Sequence, residues 1–522
     1  MIARLWQRDT SLFAPADAPA SVHAAIANRL GWLDAPAGML PRLPEVRTVL
    51  DGARADGLTH LVLLGMGGSS LCADVLRQSA GHSEMAGRLT MVDSTDERTV
   101  LETAAAHNPA HTLFLVASKS GGTIEVTALE RYFRQWVENA VGADAAGRHF
   151  VGITDPGTSL VTRAADAGYR HLWLNPPDIG GRYSALSLFG LVPAAWLGLD
   201  LHAMLGGAGA MAAECQLEPA QNPGYALGAF MAEHATAGRD KLTLLPVAPL
   251  GMWIEQLVAE STGKNGVGVL PIVDEPEGPI EQYGRDRAFV AMIASETSPT
   301  ATRAAALEAA GHPVFRINVS GSNLGREFFR WEFATAVAGA LLGVNPFDEP
   351  NVSDAKARTK IMLDHYLAHG QWPDAEGVER ARGVDVRRVR ATAARPDGAG
   401  YIALLDYLPT DRDRAASMER IRRRLRATTG AATTYGIGPR YLHSTGQFHK
   451  GGPNSGRFVL MTSVDATSTD VPGLGYTFSV LKHAQALGDV AALTAAGREV
   501  LHIHITDTSA EASATIERVL SE

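Results

Sequence analysis

Two short segments hold residues able to grip an anion. Gly65-Met66-Gly67-Gly68-Ser69-Ser70 follows the apolar run 60–66 and opens a helical pattern. Its glycines let backbone N–H groups approach a ligand, which then meets the positive end of a helix. This is not a dinucleotide loop, because Ser70 stands where the third glycine belongs. Read alone, a tight packing turn explains it equally well. Ser118-Lys119-Ser120-Gly121-Gly122-Thr123 also follows a strand-like run and opens a helix, offering three hydroxyls, one ammonium and exposed backbone donors. That is a phosphate cradle without the Gly-Lys-Ser/Thr order of a nucleotide P-loop, although Thr123 by itself is an ordinary helix cap. Two such loops after neighbouring strands predict one phosphorylated ligand at the carboxyl edge of a sheet.

The elements that must position these loops alternate in type. Apolar runs at 60–66, 89–94, 111–118 and 149–155 are separated by helical patterns such as 123–140. Such runs predict a parallel sheet covered on both faces. A second series follows a Gly/Ala-rich helical bridge, with strands expected at 241–247, 288–295 and 313–320 and helices near 251–261, 298–310 and 326–343. A helical lead-in occupies 1–45, and the two α/β units are expected at 46–215 and 216–360. Residues 348–360 lead into a helix, and the Arg-, Gly- and Asp-rich stretch 370–400 marks a boundary. A third α/β unit, 361–522, carries expected strands at 400–408, 457–464 and 499–507 and a charged helix at 411–429. Its run Arg420–Ala427 (RIRRRLRA) reads as a solvated helix face.

Composition narrows the classes. The 522 residues carry a net charge of −9 and are 46% hydrophobic, which suits a globular chain and lacks the basic footprint of a nucleic-acid binder. Two cysteines, Cys72 and Cys215, provide no disulfide framework and no cysteine zinc site. The first residues hold no apolar signal core, and the weakly charged stretch Ser187–Ala213 is interrupted by Pro193, Asp200 and His202. A cytoplasmic protein without membrane insertion is expected.

The motif GMGGSS followed by SKSGGT resembles the sugar-isomerase (SIS) fold, which binds phosphosugars. Three more segments sharpen the resemblance to the glucose-6-phosphate isomerase family: GGRYS at 180–184, QLVAESTGK at 256–264, and NPFDEP at 345–350 with Lys356 seven residues after Glu349. The N-terminal run and the long C-terminal unit most resemble the isomerase half of fused transaldolase/glucose-6-phosphate isomerase polypeptides. The resemblance implies two tandem SIS units followed by a further α/β unit. It also implies reversible glycolytic and gluconeogenic interconversion of glucose 6-phosphate and fructose 6-phosphate, with no cofactor and no metal.

By the same resemblance, Glu260 is the base that moves a proton between C2 and C1, Arg182 stabilises the enediolate, and Lys356 assists ring opening. Gly68, Ser69, Ser118, Lys119, Ser120 and Thr123 form the phosphate site, and Gln256 touches substrate. Glu349 stands where the family usually has Gln, and an acid there adds negative charge beside the sugar. The family's ring-opening histidine follows soon after the base and comes from a neighbouring subunit, yet 265–290 contains no His. The segment YLHSTGQFHKGG at 441–452 resembles the family's histidine segment, displaced to the third unit. His443 is the expected acid/base there, with His449 as runner-up, and a homodimer is expected. His502 and His504 lie on one strand face without a third metal ligand. Two alternatives stay open: a phosphosugar sensor that does not turn over, and an isomerase that also takes mannose 6-phosphate.

Overall fold

The computed structural model describes residues 1–81, 83–246, 249–373, 378–381, 384–388, 400–409, 412–465 and 467–506. The last residues of the expected strands 241–247 and 499–507, the first of the expected helix 411–429 and much of 370–400 lie outside them. Among the described residues fifteen strands form three sheets. The first contains β1 (His60–Gly65), β2 (Leu89–Val92), β3 (Thr112–Ala117), β4 (Phe150–Thr154) and β5 (His171–Leu174), in the order β2-β1-β3-β4-β5 and wholly parallel. The second contains β6 (Lys241–Leu245), β7 (Leu270–Ile272), β8 (Arg287–Ile293) and β9 (Val314–Asn318), again parallel, in the order β7-β6-β8-β9. The expected apolar runs fall on strands of these sheets; β3, β4 and β6 are buried along their whole length, whereas the edge strands β5 and β9 are partly exposed.

The third sheet is mixed. It contains β10 (Val378–Ala381), β11 (Val384–Arg388), β12 (Tyr401–Asp406), β13 (Ala432–Ile437), β14 (Gly456–Ser463) and β15 (Glu499–Ile505). The order is β10-β11-β15-β14-β12-β13, parallel except for the β10–β11 hairpin, which pairs antiparallel to β15. Two tandem parallel α/β units and a third α/β unit are therefore the architecture.

The units share cores. Leu270 and Ile272 of β7 pack with Tyr401, Phe448 and Phe458 of the third unit. Val62, Leu64 and Phe114 of the first sheet pack with Val471, Phe478 and Leu481. The lead-in is built in as well, since Trp32 stacks on Tyr183 at 5.3 Å. The arginine-rich helix Arg412–Thr429 corrects an expectation. Arg422 and Arg426 are buried rather than solvated, and they donate to the carbonyls of Val273, Asp274 and Pro276 in the second unit. Backbone carbonyls from another unit supply the acceptors that water would supply to a solvated face. The stretch 187–213 becomes the separate helices Leu188–Trp196 and Leu201–Glu214, and among the described residues no helix is long and apolar enough to cross a membrane.

Candidate active site

Gly65 of β1 and Ala117 of β3 are register partners, so the two anion loops leave the same sheet edge side by side. Gly67 has φ +54° and Gly121 φ +67°, a region that suits glycine. Close packing demands the glycine at 68, where a Cβ would lie 2.0 Å from the Gly181 carbonyl oxygen. That contact seats the turn Gly181–Tyr183, and with it Arg182, against the first loop.

These loops form one wall of a cavity of about 440 Å³ at the carboxyl edge of the first sheet. Gly68, Ser69, Lys119, Ser120, Thr123, Arg182, Gln256, Glu260, Lys356 and His443 all line it. Ser118 does not. It is buried, and its hydroxyl lies 3.0 Å from that of Thr123, so it steadies the loop rather than facing the cavity. Lys119 pairs with Asp155, and burial pulls its ammonium below the ordinary lysine range.

Helix Gly251–Thr262 presents Gln256 and Glu260 one turn apart on one face. Gln256 Nε2 donates to Glu260 Oε2 at 3.0 Å and to the His443 carbonyl at 2.8 Å. Arg182 Nη1 stands 3.3 Å from Glu260 Oε1 and 3.0 Å from Glu349 Oε2. Burial raises the Glu260 carboxyl above its usual range; Arg182 opposes this, and the Glu349 charge adds to it. Glu349 itself is held low, because Arg182 and Lys264 outweigh its burial. The helix Pro350–His369 then carries Lys356 to the cavity mouth.

His443 ends a short turn, Arg440–His443, after β13. It lines the cavity of its own chain. Its Nε2 lies 2.8 Å from Glu125 Oε1, a carboxylate 318 residues away in sequence. Gln485 Nε2 donates to the same oxygen at 2.7 Å. Burial alone would raise Glu125, but His443 and Lys356 outweigh it and hold the carboxyl below its usual range. His449 is set apart: it is buried, hydrogen-bonds the Tyr401 hydroxyl at 3.0 Å, and burial pushes its imidazole well below the ordinary range. The runner-up histidine is thus a core residue outside the cavity. His502 and His504 both meet the Thr462 hydroxyl, at 2.9 and 2.8 Å.

Sequence reasoning missed Glu125 and Arg29. Glu125 sits in the first turn of helix Ile124–Val141, where an acid ordinarily reads as a complement to the helix dipole. Arg29 comes from the lead-in and lines the cavity beside Lys119; an isolated arginine ahead of the first strand gives no signal.

Comparison with known proteins agrees with this geometry. The family described as phosphoglucose isomerase matches residues 44–284. The glucose-6-phosphate isomerase of Rubrobacter xylanophilus is 32% identical over 391 residues, spanning 63% of this chain and 90% of that protein. That of Thermus thermophilus is 28% identical over 383 residues, spanning 64% and 90%. Among solved structures, the hypothetical protein TT0462 of Thermus thermophilus aligns with a TM-score of 0.59 at 25% identity, covering 69% of this chain and 96% of that one. A glucose-6-phosphate isomerase from Chlamydia trachomatis shares the fold with a TM-score of 0.51 at 19% identity, covering 72% and 79%. With an anion cradle, a buried carboxylate and an arginine in one cavity, and with relatives matched over nine-tenths of their length, the chain belongs to the phosphoglucose isomerase family.

Proposed function

We propose that this protein interconverts glucose 6-phosphate and fructose 6-phosphate through an enediolate. One observation carries the reading: a single cavity joins the anion loops to Glu260, Arg182, Lys356 and His443. The phosphate rests on Ser69, Lys119, Ser120, Thr123 and the loop N–H groups around Gly68, where buried donors are worth more than in water. Glu125 accepts from His443 Nε2, which leaves Nδ1 to take the anomeric hydroxyl proton. That proton passes to the ring oxygen with Lys356 beside it, and the ring opens. Glu260 then removes the proton from C2 of the open-chain aldose, the O2 hydroxyl proton passes to O1 across the enediolate, and Glu260 returns its proton to C1, giving the ketose. Its raised proton affinity suits a base that must both take and give near neutral pH. Arg182 stabilises the negative charge that develops on the two oxygens, a contribution of roughly 3–4 kcal/mol for one such donor.

A sensor of phosphosugars needs the cradle but has no use for a buried carboxylate poised against a guanidinium. The cavity draws every one of these groups from one chain, so the proposed chemistry does not call on a second copy, even if the protein pairs into the homodimer that the family resemblance implies. The test is a coupled assay of fructose 6-phosphate conversion with EDTA present, on wild type and Glu260→Gln. Turnover that survives EDTA and falls at least ~10²-fold in the variant supports the reading. A folded wild type without turnover, or a variant that keeps near-wild-type turnover, overturns it.

A further inference from the structure

Arg182 has five N–H donors, and each of its three nitrogens makes at least one hydrogen bond. Nε donates to Ser261 Oγ at 2.8 Å, and Nη2 donates to the carbonyls of Pro346 and Asp348, each at 2.8 Å. Nη1 is divided between Glu349 at 3.0 Å and Glu260 at 3.3 Å. An oxyanion that forms beside Arg182 therefore competes with these two carboxylates for Nη1. The two carboxylates are not equally free to yield. The Glu260 side chain is 9% exposed and the Glu349 side chain 44%. Glu349 also has other cations to turn to, because Lys264 and Arg29 both act on it.

We propose that Glu349 is a positioning residue of this site: it holds Arg182 Nη1, shares that nitrogen with Glu260, and cedes it to the enediolate as the reaction proceeds. The inference rests on the isomerase reading. Its physical content is a charge balance. If Glu349 were neutral, the guanidinium would pair with Glu260 undivided, and that pairing favours the ionised base. The charged and titratable groups acting on Glu260 include Arg182, Glu349 and His443, with Tyr183 beside them. Those facing Glu349 are Arg182, Lys264 and Arg29, and Asp348 pairs with Lys264 at 2.8 Å. Among these groups Glu349 is the carboxylate that adds negative charge, so its neutralisation favours the ionised Glu260.

The experiment measures kcat/KM against pH for wild type, Glu349→Gln and Glu349→Asp. The affinity for a five-carbon aldonic acid phosphate, whose planar carboxylate mimics the enediolate, is measured alongside. In Glu349→Gln the acid limb is expected to move to lower pH by about one unit. The probe is expected to bind several-fold tighter, since Nη1 has lost a competitor. Glu349→Asp keeps the charge and is expected to return the acid limb toward its wild-type position. If Glu349→Gln is poorly folded, Glu349→Ala is read by the same two measures. An acid limb that stays in place in both neutral variants, or probe affinity that falls in them, overturns the inference. A wild type inactive on either hexose phosphate overturns the isomerase reading instead.

Discussion

Glu125 offers the most informative single substitution, because it lies outside the cavity lining and its direct contact with the proposed machinery is to His443. Its carboxylate is buried and accepts from His443 Nε2 at 2.8 Å and from Gln485 Nε2 at 2.7 Å. Glu125→Gln keeps the shape and an amide oxygen but removes the charge. A hydrogen bond to a buried charged group is worth about 1.5–3 kcal/mol, so ring opening is expected to slow by about 10- to 150-fold. His443→Ala removes the acid/base itself, a loss of about 10²–10⁴-fold. The double variant is expected to match His443→Ala alone, since Glu125 has nothing left to position. The assay compares fructose 6-phosphate conversion with solvent-proton exchange at C2 of a tetrose 4-phosphate, whose blocked O4 cannot close a ring. Both variants are expected to be slow in the first measurement and near wild type in the second. Equal losses in the two measurements, or single losses that multiply in the double variant, would refute the assignment of this pair to ring opening.

Two further expectations follow from the same geometry. When Glu260→Gln and His443→Ala proteins are mixed and re-equilibrated, activity should not exceed that of the separate samples, because each cavity takes both residues from one chain; recovery of about a quarter of wild-type activity, the share of intact sites in a randomly mixed dimer, would show a site shared between subunits. Glu260 has its folded proton affinity raised above the ordinary value of 4.5, chiefly by burial. Its stabilising share is therefore complete below that value and is lost as pH rises, so Glu260→Gln should unfold at a higher temperature than wild type at pH 7, with the gap closing in acid; thermal scans at both pH values check it.

Parts of this site are legible in the sequence because the signals are local. Glycine, serine and lysine at the ends of apolar runs mark the loops at 65–70 and 118–123, and the strand register then sets them side by side. Gln256 and Glu260 share a helix face by spacing alone. What escaped has non-local causes. Strand β7 is three residues long and contains Pro271, and β5 ends on the exposed Leu174, so neither stands out as an apolar run. Strand β13 begins Ala-Thr-Thr-Tyr and ends in glycine and isoleucine, a pattern that also reads as a loop. Buried Arg422 and Arg426 have the same periodicity as solvated arginines, and only the carbonyls of 273–276 distinguish them. His443 is identifiable as a residue, but Glu125, which orients it, lies 318 positions away.

The cores shared between units bear on how the chain is made. Apart from Ala259, the apolar cluster that takes in Leu270 and Ile272 is built by the third unit, with Tyr401, Phe448 and Phe458 among its members. At ~5–20 residues per second, the roughly 180 residues between Ile272 and Phe448 take about 9–36 s to leave the ribosome. During that interval the nascent chain holds a finished anion cradle beside an uncovered apolar strand face. Synthesis past residue 448 therefore buries that face and delivers His443 in the same event, so the burial that protects the chain from aggregation also completes its cavity.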